Sequence, residues 1–188
     1  MLNTNANFPK IVFLGDSSVG KTSILKYKVT GQHDNTTSTV ESTHYQVTLD
    51  CDDKPIDVLL WDTAGQERYR GLTANYSRDA DAIIIVFSVI DEESFNHLND
   101  WYKLAQETNS NPAIYLAANK IDIQMNRIDL SLAEQWSESN GIPLNYTSAV
   151  TGEGIAELFE KIALSLSTSF NKQTKTLQIN TNSREKCC

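Results

Sequence analysis

The residues with the clearest chemical meaning are Gly15–Thr22, GDSSVGKT, which fit the pattern G-x-x-x-x-G-K followed by Ser or Thr. They lie between the apolar segment IVFL and a helix-like stretch. Glycine permits torsions that turn backbone N–H groups onto phosphate oxygens, and the following helix start adds positive potential. The alternative is a structural glycine turn with an idle lysine. Lys21 would reach the β and γ phosphates, and the Thr22 hydroxyl would also ligate Mg²⁺. The predicted phosphate-binding residues of this motif are Gly15, Ser17, Ser18, Val19, Gly20, Lys21 and Thr22.

A second motif, NKID at Asn119–Asp122, follows the apolar segment AIYLAA. An open α/β sheet presents ligand-binding residues at the ends of such strands. Asp122 there would accept hydrogen bonds from N1 and N2 of guanine, two donors that adenine does not offer. We therefore predict a guanine site with Asn119, Lys120 and Asp122. A solvated loop is the alternative, since the motif alone is weak.

A third motif, WDTAGQE at Trp61–Glu67, closes another hydrophobic segment. Asp62 occupies the position of an acid that holds Mg²⁺, usually through water. Gly65 would direct its N–H toward a γ phosphate, and Gln66 would orient an attacking water. The alternative is an ordinary turn after a strand.

The elements that must position these motifs alternate between apolar runs and amphipathic segments from Lys10 to about Leu166. That pattern predicts an α/β domain around a mostly parallel sheet. Only Asp50 and the turn cluster CDDKP separate the second and third strands. This segment is too short for a crossover helix, so these two strands should form an antiparallel hairpin. The predicted strands are Ile11–Leu14, Tyr45–Leu49, Ile56–Trp61, Ala82–Val89, Ala113–Ala118 and Leu144–Tyr146.

Helices are indicated by apolar stripes at helical spacing. Ser131 and Glu134 fit a capping box at the start of another helix. One stripe consists of Ile155, Leu158, Phe159, Ile162, Ala163 and Leu166, and a second of Phe95, Leu98, Trp101, Tyr102 and Ala105.

Composition fits one compact domain, because 40% of the 188 residues are apolar and 21% are charged. We predict a flexible N-terminus over 1–9, the domain over 10–166 and a flexible polar tail over 167–188. The first residues do not read as a secretory signal, which predicts a cytosolic protein. A net charge of −8 argues against nucleic acid as a partner. The three cysteines, two of them adjacent, predict neither a disulfide framework nor a zinc site.

The three motifs, in this order, resemble the Ras superfamily of small GTPases from Lys10 to Leu166. WDTAGQERYRGL, YSRDADAIIIVFSV and the terminal Cys pair resemble the Rab family. The resemblance implies the P-loop NTPase fold, a three-layer sandwich whose six-stranded sheet has one antiparallel strand and helices on both faces. It also implies a monomeric GTP/GDP switch in vesicle trafficking, with Mg²⁺ as cofactor. Hydrolysis of GTP would be slow without an activating protein.

The resemblance extends to single positions. Thr39 matches the switch I threonine that binds Mg²⁺ and the γ phosphate. The predicted catalytic residues are therefore Lys21, Thr39 and Gln66. The predicted metal site consists of Thr22, Thr39 and Asp62. Ser148, Ala149 and Val150 lie at the family's guanine-supporting loop, and His33 lies near the aromatic that flanks the base.

Regulation is implied by the same resemblance. Activating protein, exchange factor, GDP-dissociation inhibitor and effectors would bind switch I, about 33–44, and switch II, about 62–77. Cys187 and Cys188 would carry geranylgeranyl groups that anchor the protein to Golgi or endosomal membranes, since stable attachment takes two signals. Two idle cysteines are the alternative.

Several residues depart from the family pattern. Glu41 replaces a glycine, His44 an aromatic residue and Val150 a lysine. These changes leave open a second hypothesis, a nucleotide-bound scaffold with little hydrolysis. A P-loop metabolic kinase is a third.

Overall fold

The structure is a computed structural model that describes residues 8–33, 43–51, 55–63, 77–107, 111–125 and 128–182, with side chains to residue 168. Several predicted residues lie outside these ranges, so their roles stay predictions. They are Thr39, Glu41, Gly65, Gln66, Cys187 and Cys188.

Six strands in the described ranges form one sheet of order β2-β3-β1-β4-β5-β6. β2 pairs antiparallel with β3, and every other pair is parallel. The predicted hairpin and the mostly parallel sheet are therefore confirmed, and each strand begins and ends within two residues of its predicted bounds. The strands are β1 Lys10–Leu14, β2 Thr43–Leu49, β3 Ile56–Asp62, β4 Ala82–Ser88, β5 Ala113–Asn119 and β6 Leu144–Thr147.

Helices cover both faces of the sheet, as the fold class predicts. The described helices are α1 Lys21–Thr30, α2 Glu92–Asn96, α3 Leu98–Gln106, α4 Leu130–Asn140 and α5 Ile155–Asn182. Alternate residues of β1 belong to opposite layers, because successive side chains of a strand point to opposite faces. Phe13 packs in the cluster that contains Ile24 of α1 and Phe159 of α5. Val12 packs in the cluster that contains Trp101 of α3.

The two predicted apolar stripes differ in outcome. Every member of the stripe on α5 is buried. The stripe that starts at Phe95 does not lie on one helix, because α2 ends at Asn96 and α3 begins at Leu98. Leu98, Trp101 and Ala105 are nevertheless buried on α3.

The predicted capping box on Ser131 is wrong. Asp129 is the N-cap of α4, and its Oδ1 accepts a hydrogen bond from the backbone N–H of Ser131 at 3.0 Å. Aspartate is among the best N-cap residues, so it starts the helix before Ser131 does. Glu134 instead accepts a hydrogen bond from the Tyr146 hydroxyl at 2.9 Å. Burial, and to a lesser extent this hydrogen bond, raises the pKa of Tyr146 to about 12.

The last helix extends beyond its predicted apolar stripe, since α5 runs from Ile155 to Asn182. The chain from Ile155 onward contains neither glycine nor proline, the residues that most strongly end a helix. The apolar periodicity is lost after Leu166, whereas the helix itself continues. The flexibility of 167–188 stays a prediction.

Candidate functional site

The predicted motifs meet at one edge of the sheet. β1, β3, β5 and β6 run parallel through their neighbours, so their carboxyl ends share that edge. Gly15 follows β1, Asp62 closes β3, Asn119 closes β5 and Thr147 closes β6. Residues more than a hundred positions apart therefore contribute to one site.

The loop after β1 has a backbone that requires glycine at two positions. Gly15 has φ +136°, and a Cβ there would come within 2.1 Å of the Val86 carbonyl oxygen. Gly20 has φ +104°, and a Cβ there would come within 2.2 Å of Asn119 Nδ2. Ser18 adopts φ +62°, a conformation that costs roughly 1–2 kcal/mol for a residue with a side chain. The loop thus holds a strained conformation that brings it close to both β4 and β5.

Lys21, the first residue of α1, is buried under this loop. Its Nζ donates hydrogen bonds to the carbonyl oxygens of Gly15 at 2.9 Å and Asp16 at 2.6 Å. Burial lowers the pKa of Lys21 from 10.5 to about 8, although the negative charges of Asp62 and Asp16 oppose this shift. A buried ammonium group is costly without an anionic partner, and phosphate oxygens would supply one.

Thr22 and Asp62 bring two oxygen ligands together beside Lys21. Thr22 Oγ1 donates to Asp62 Oδ2 at 2.6 Å, and Asp62 is only 1% exposed. Thr63 Oγ1 donates to the Phe13 carbonyl at 2.6 Å and ties the end of β3 to β1. A hydroxyl and a carboxylate suit Mg²⁺, which prefers oxygen and takes few ligands from the protein. The described residues contain no group of three or more His, Cys, Asp and Glu arranged to hold a metal.

Asn119 and Lys120 both point to the phosphate-binding loop. Asn119 Nδ2 donates to the Val19 carbonyl at 2.8 Å, and Lys120 Nζ donates to the Ser18 carbonyl at 2.7 Å. Burial lowers the pKa of Lys120, and the backbone of this residue has φ +72°. In this structure both side chains therefore brace the loop, a role that the motif pattern did not indicate.

Asp122 is exposed at the mouth of the site, and Ser148 fixes its orientation. Ser148 Oγ donates to Asp122 Oδ1 at 2.6 Å and accepts from the backbone N–H groups of Val150 at 3.2 Å and Thr151 at 3.1 Å. Ala149 is buried, whereas Val150 is 53% exposed. The loop after β6 thus holds the carboxylate and presents Val150 to solvent.

Sequence reasoning missed Tyr27, which joins α1 to the loop after β6. Its hydroxyl donates to the Thr151 carbonyl at 3.4 Å, and a Cβ on Gly152 would come within 2.0 Å of that hydroxyl. The sequence offered one signal of this close approach, the glycine in the TGEG segment. In the structure this glycine, Gly152, has φ +85°. His33, predicted to flank the base, is exposed beyond the end of α1.

Comparison with known proteins gives the same assignment as the geometry. The sequence model of the Ras family matches residues 10–168. The chain is 35% identical over 200 aligned residues to Ras-related protein Rab-5A of Dictyostelium discoideum, with both chains covered completely. It is 37% identical over 157 residues to Ras-related protein Rab-21 of Geodia cydonium, an alignment that covers 82% of this chain and 69% of that protein.

The chain therefore belongs to the Ras family, and within it to the Rab small GTPases. It is a GTP-hydrolysing switch of the kind that acts in vesicle trafficking. Within the described ranges, every helix is too short or too polar to span a membrane.

Proposed function

We propose that the carboxyl edge of this sheet binds GTP with Mg²⁺ and that Lys21, Thr39 and Gln66 carry out hydrolysis. One observation supports this most strongly: Asn119 and Lys120 of the base-reading motif hydrogen bond to the carbonyls of Val19 and Ser18 in the phosphate-binding loop. The two motifs are therefore coupled. Base recognition and phosphate binding would occur on one rigid unit.

Guanine is read by Asp122, whose carboxylate accepts from the base N1 and N2 donors. Ser148 occupies Asp122 Oδ1 from one side, so the carboxylate is oriented before the ligand arrives. Such preorganisation reduces the entropy lost on binding. The backbone N–H of Ala149 would meet the guanine oxygen, while Val150 and His33 would lie beside the base and ribose.

The triphosphate is held by the backbone of Gly15 to Gly20 and by Lys21. Binding would require Lys21 Nζ to exchange its present carbonyl partners for phosphate oxygens. Thr22 and Asp62 would hold Mg²⁺ together with Thr39, and the ion would neutralise charge on the phosphates. Gly65 would contact the γ phosphate, and Gln66 would orient the attacking water.

Loss of the γ phosphate would release contacts from Thr39 and Gly65, so switch I (about 33–44) and switch II (about 62–77) would change conformation. An activating protein, an exchange factor, a GDP-dissociation inhibitor and effectors would distinguish the two states. The activating protein would raise hydrolysis by about 10³ to 10⁵. The protein acts as a monomer.

Single-turnover hydrolysis of bound GTP tests the catalytic assignment. Gln66→Leu should slow phosphate release by at least about tenfold, because positioning of the water is lost. Gln106→Leu, an exposed substitution at the end of α3, is the matched control and should leave the rate unchanged. An immeasurable rate in wild type and Gln66→Leu alike would favour a nucleotide-bound scaffold.

We also propose that Cys187 and Cys188 carry prenyl groups, so that the protein cycles between cytosol and the cytosolic face of Golgi or endosomal membranes. An N-terminally tagged protein with both cysteines changed to serine should move entirely to the soluble fraction. Cys51→Ser, at a partly buried position, is the control and should keep its membrane fraction. Unchanged membrane association of the double variant would refute this anchor.

A further inference from the structure

Asp16 connects the phosphate-binding loop to the helical layer on the other side of the sheet. Its Oδ1 accepts a hydrogen bond from Trp101 Nε1 at 2.6 Å, and its Oδ2 lies 2.7 Å from His97 Nδ1. An ionised carboxylate only accepts hydrogen bonds, so His97 Nδ1 is the donor when Asp16 is charged. Both carboxylate oxygens therefore have a partner.

His97, which contacts Asp16, lies at the junction of two helices. α2 ends at Asn96 and α3 begins at Leu98, with His97 between them at φ −81° and ψ −1°. The side chain is 37% exposed, compared with 19% for Asp16, so the ring can exchange protons with solvent. The contact between His97 and Asp16 is thus accessible to solvent protons.

Asp16 is also linked through its backbone to the residue that would contact the phosphates. Its carbonyl oxygen accepts a hydrogen bond from Lys21 Nζ at 2.6 Å. A shift of the Asp16 side chain would move this carbonyl and change the position of the ammonium group. The partners of the Asp16 carboxylate therefore influence the geometry at Lys21.

The negative charge of Asp16 determines whether a protonated His97 would favour or oppose phosphate binding. Asp16 places a negative charge in a loop that receives a polyanion, which is unfavourable unless a cation balances it. A protonated imidazole would balance that charge, and its hydrogen bond to the carboxylate would be about twice as strong as a neutral one. Histidine is the side chain that ordinarily changes charge between about pH 5 and 8.

We propose that Asp16 and His97 are positioning residues for nucleotide binding, and that protonation of His97 tightens the hold of the loop on its guanine nucleotide. This inference rests on the nucleotide site proposed above. Release of GDP should therefore slow as pH falls through the range in which the imidazole gains its proton.

Other charged groups lie on the elements around His97. Glu93 and Asp100 lie one helical turn from His97, Glu92 and Lys103 lie on the same two helices, and Lys21 lies beyond Asp16. Lys21 has a pKa near 8 and contributes its own pH dependence. The test must therefore compare variants with wild type at each pH, because the titration of these groups is common to both and cancels in the ratio.

The experiment measures release of a fluorescent GDP analogue into excess unlabelled GDP and Mg²⁺ at about pH 6 and about pH 8. At each pH, the release rate of His97→Asn is divided by the release rate of wild type. This ratio should be about three- to tenfold larger at the lower pH than at the higher pH. Trp101→Phe is the matched control. It removes the other donor to Asp16 without a titratable group, so it should change release by one factor at both pH values.

A double-mutant cycle identifies the partner. In an Asp16→Asn background, His97→Asn should lose its pH-dependent effect, because no carboxylate is left to pair with the imidazolium. A ratio that is the same at both pH values, or one that persists without Asp16, would overturn the inference and leave the proposed nucleotide site intact. Failure of wild type to retain the analogue at all would refute the proposed site and the inference with it.

Discussion

Gly20→Ala tests whether the close approach of the phosphate-binding loop to β5 is as tight as the structure shows. A Cβ at this position would lie 2.2 Å from Asn119 Nδ2, far inside van der Waals contact. Asn119 would have to move. It would then lose its hydrogen bonds to the Val19 carbonyl at 2.8 Å and from Thr147 Oγ1 at 3.3 Å.

The expected cost has two parts. An alanine at φ +104° costs roughly 1–2 kcal/mol of backbone strain. Each lost hydrogen bond costs about 0.5–1.5 kcal/mol. Gly20→Ala should therefore lower the free energy of unfolding by about 2–5 kcal/mol. Gly31→Ala provides the control, because Gly31 has φ +71° but nothing within 4 Å of the added Cβ, so only the strain applies.

Urea denaturation of both variants with nucleotide removed gives the comparison, since a bound ligand would add its own stabilisation. We expect Gly20→Ala to be less stable than Gly31→Ala by about 1–3 kcal/mol. Equal free energies of unfolding would contradict the proposed contact between the loop and Asn119.

Three further predictions concern the cap, the base and the buried lysine. Asp129→Ala should destabilise the protein by about 0.5–2 kcal/mol, and Ser131→Ala by much less, in thermal unfolding. Ser148→Ala should weaken GTP binding by about tenfold in a fluorescence titration, because Asp122 loses its orienting partner. Burial lowers the pKa of Lys21 to about 8, so between pH 8 and 10.5 the unfolded chain binds a proton that the native protein does not. Across that window the unfolding free energy of the nucleotide-free protein should rise by up to about 3 kcal/mol relative to Lys21→Met, measured in urea.

Each of these predictions has a clear contrary result. Equal destabilisation by Asp129→Ala and Ser131→Ala would support the capping box on Ser131. Unchanged GTP affinity in Ser148→Ala would mean that Asp122 needs no support from the loop after β6. Parallel pH profiles of wild type and Lys21→Met would mean that the ammonium group stays solvated in the native protein.

The sheet was predictable because strand signals in this chain are strong and local. The segment Ala82–Ser88 is buried throughout, and every residue but the last is apolar, as expected for a parallel strand covered on both faces. The short CDDKP turn leaves β2 and β3 no topology other than a hairpin. The helix boundaries were less predictable, since Asp129 and Ser131 are both acceptable caps and only the structure shows which one is used.

The motifs could be found from the sequence, but the contacts between them could not. NKID identifies Asn119 and Lys120 by pattern, yet their hydrogen bonds to loop residues about a hundred positions earlier depend on the order of strands in the sheet. The pairing of Asp16 with His97 likewise joins residues 81 positions apart, at a helix junction that no apolar spacing signals. Long-range polar contacts of this kind carry no periodicity, so they appear only once the fold is known.

The central claim is that one rigid edge of the sheet selects guanine through Asp122 and holds the triphosphate through Lys21. Equilibrium titration with GTP and ATP, for wild type and Asp122→Ala, tests it most directly. Wild type should prefer GTP by about 10³-fold or more, and Asp122→Ala should lose most of that preference. Equal affinity of the wild-type protein for the two nucleotides would contradict the claim.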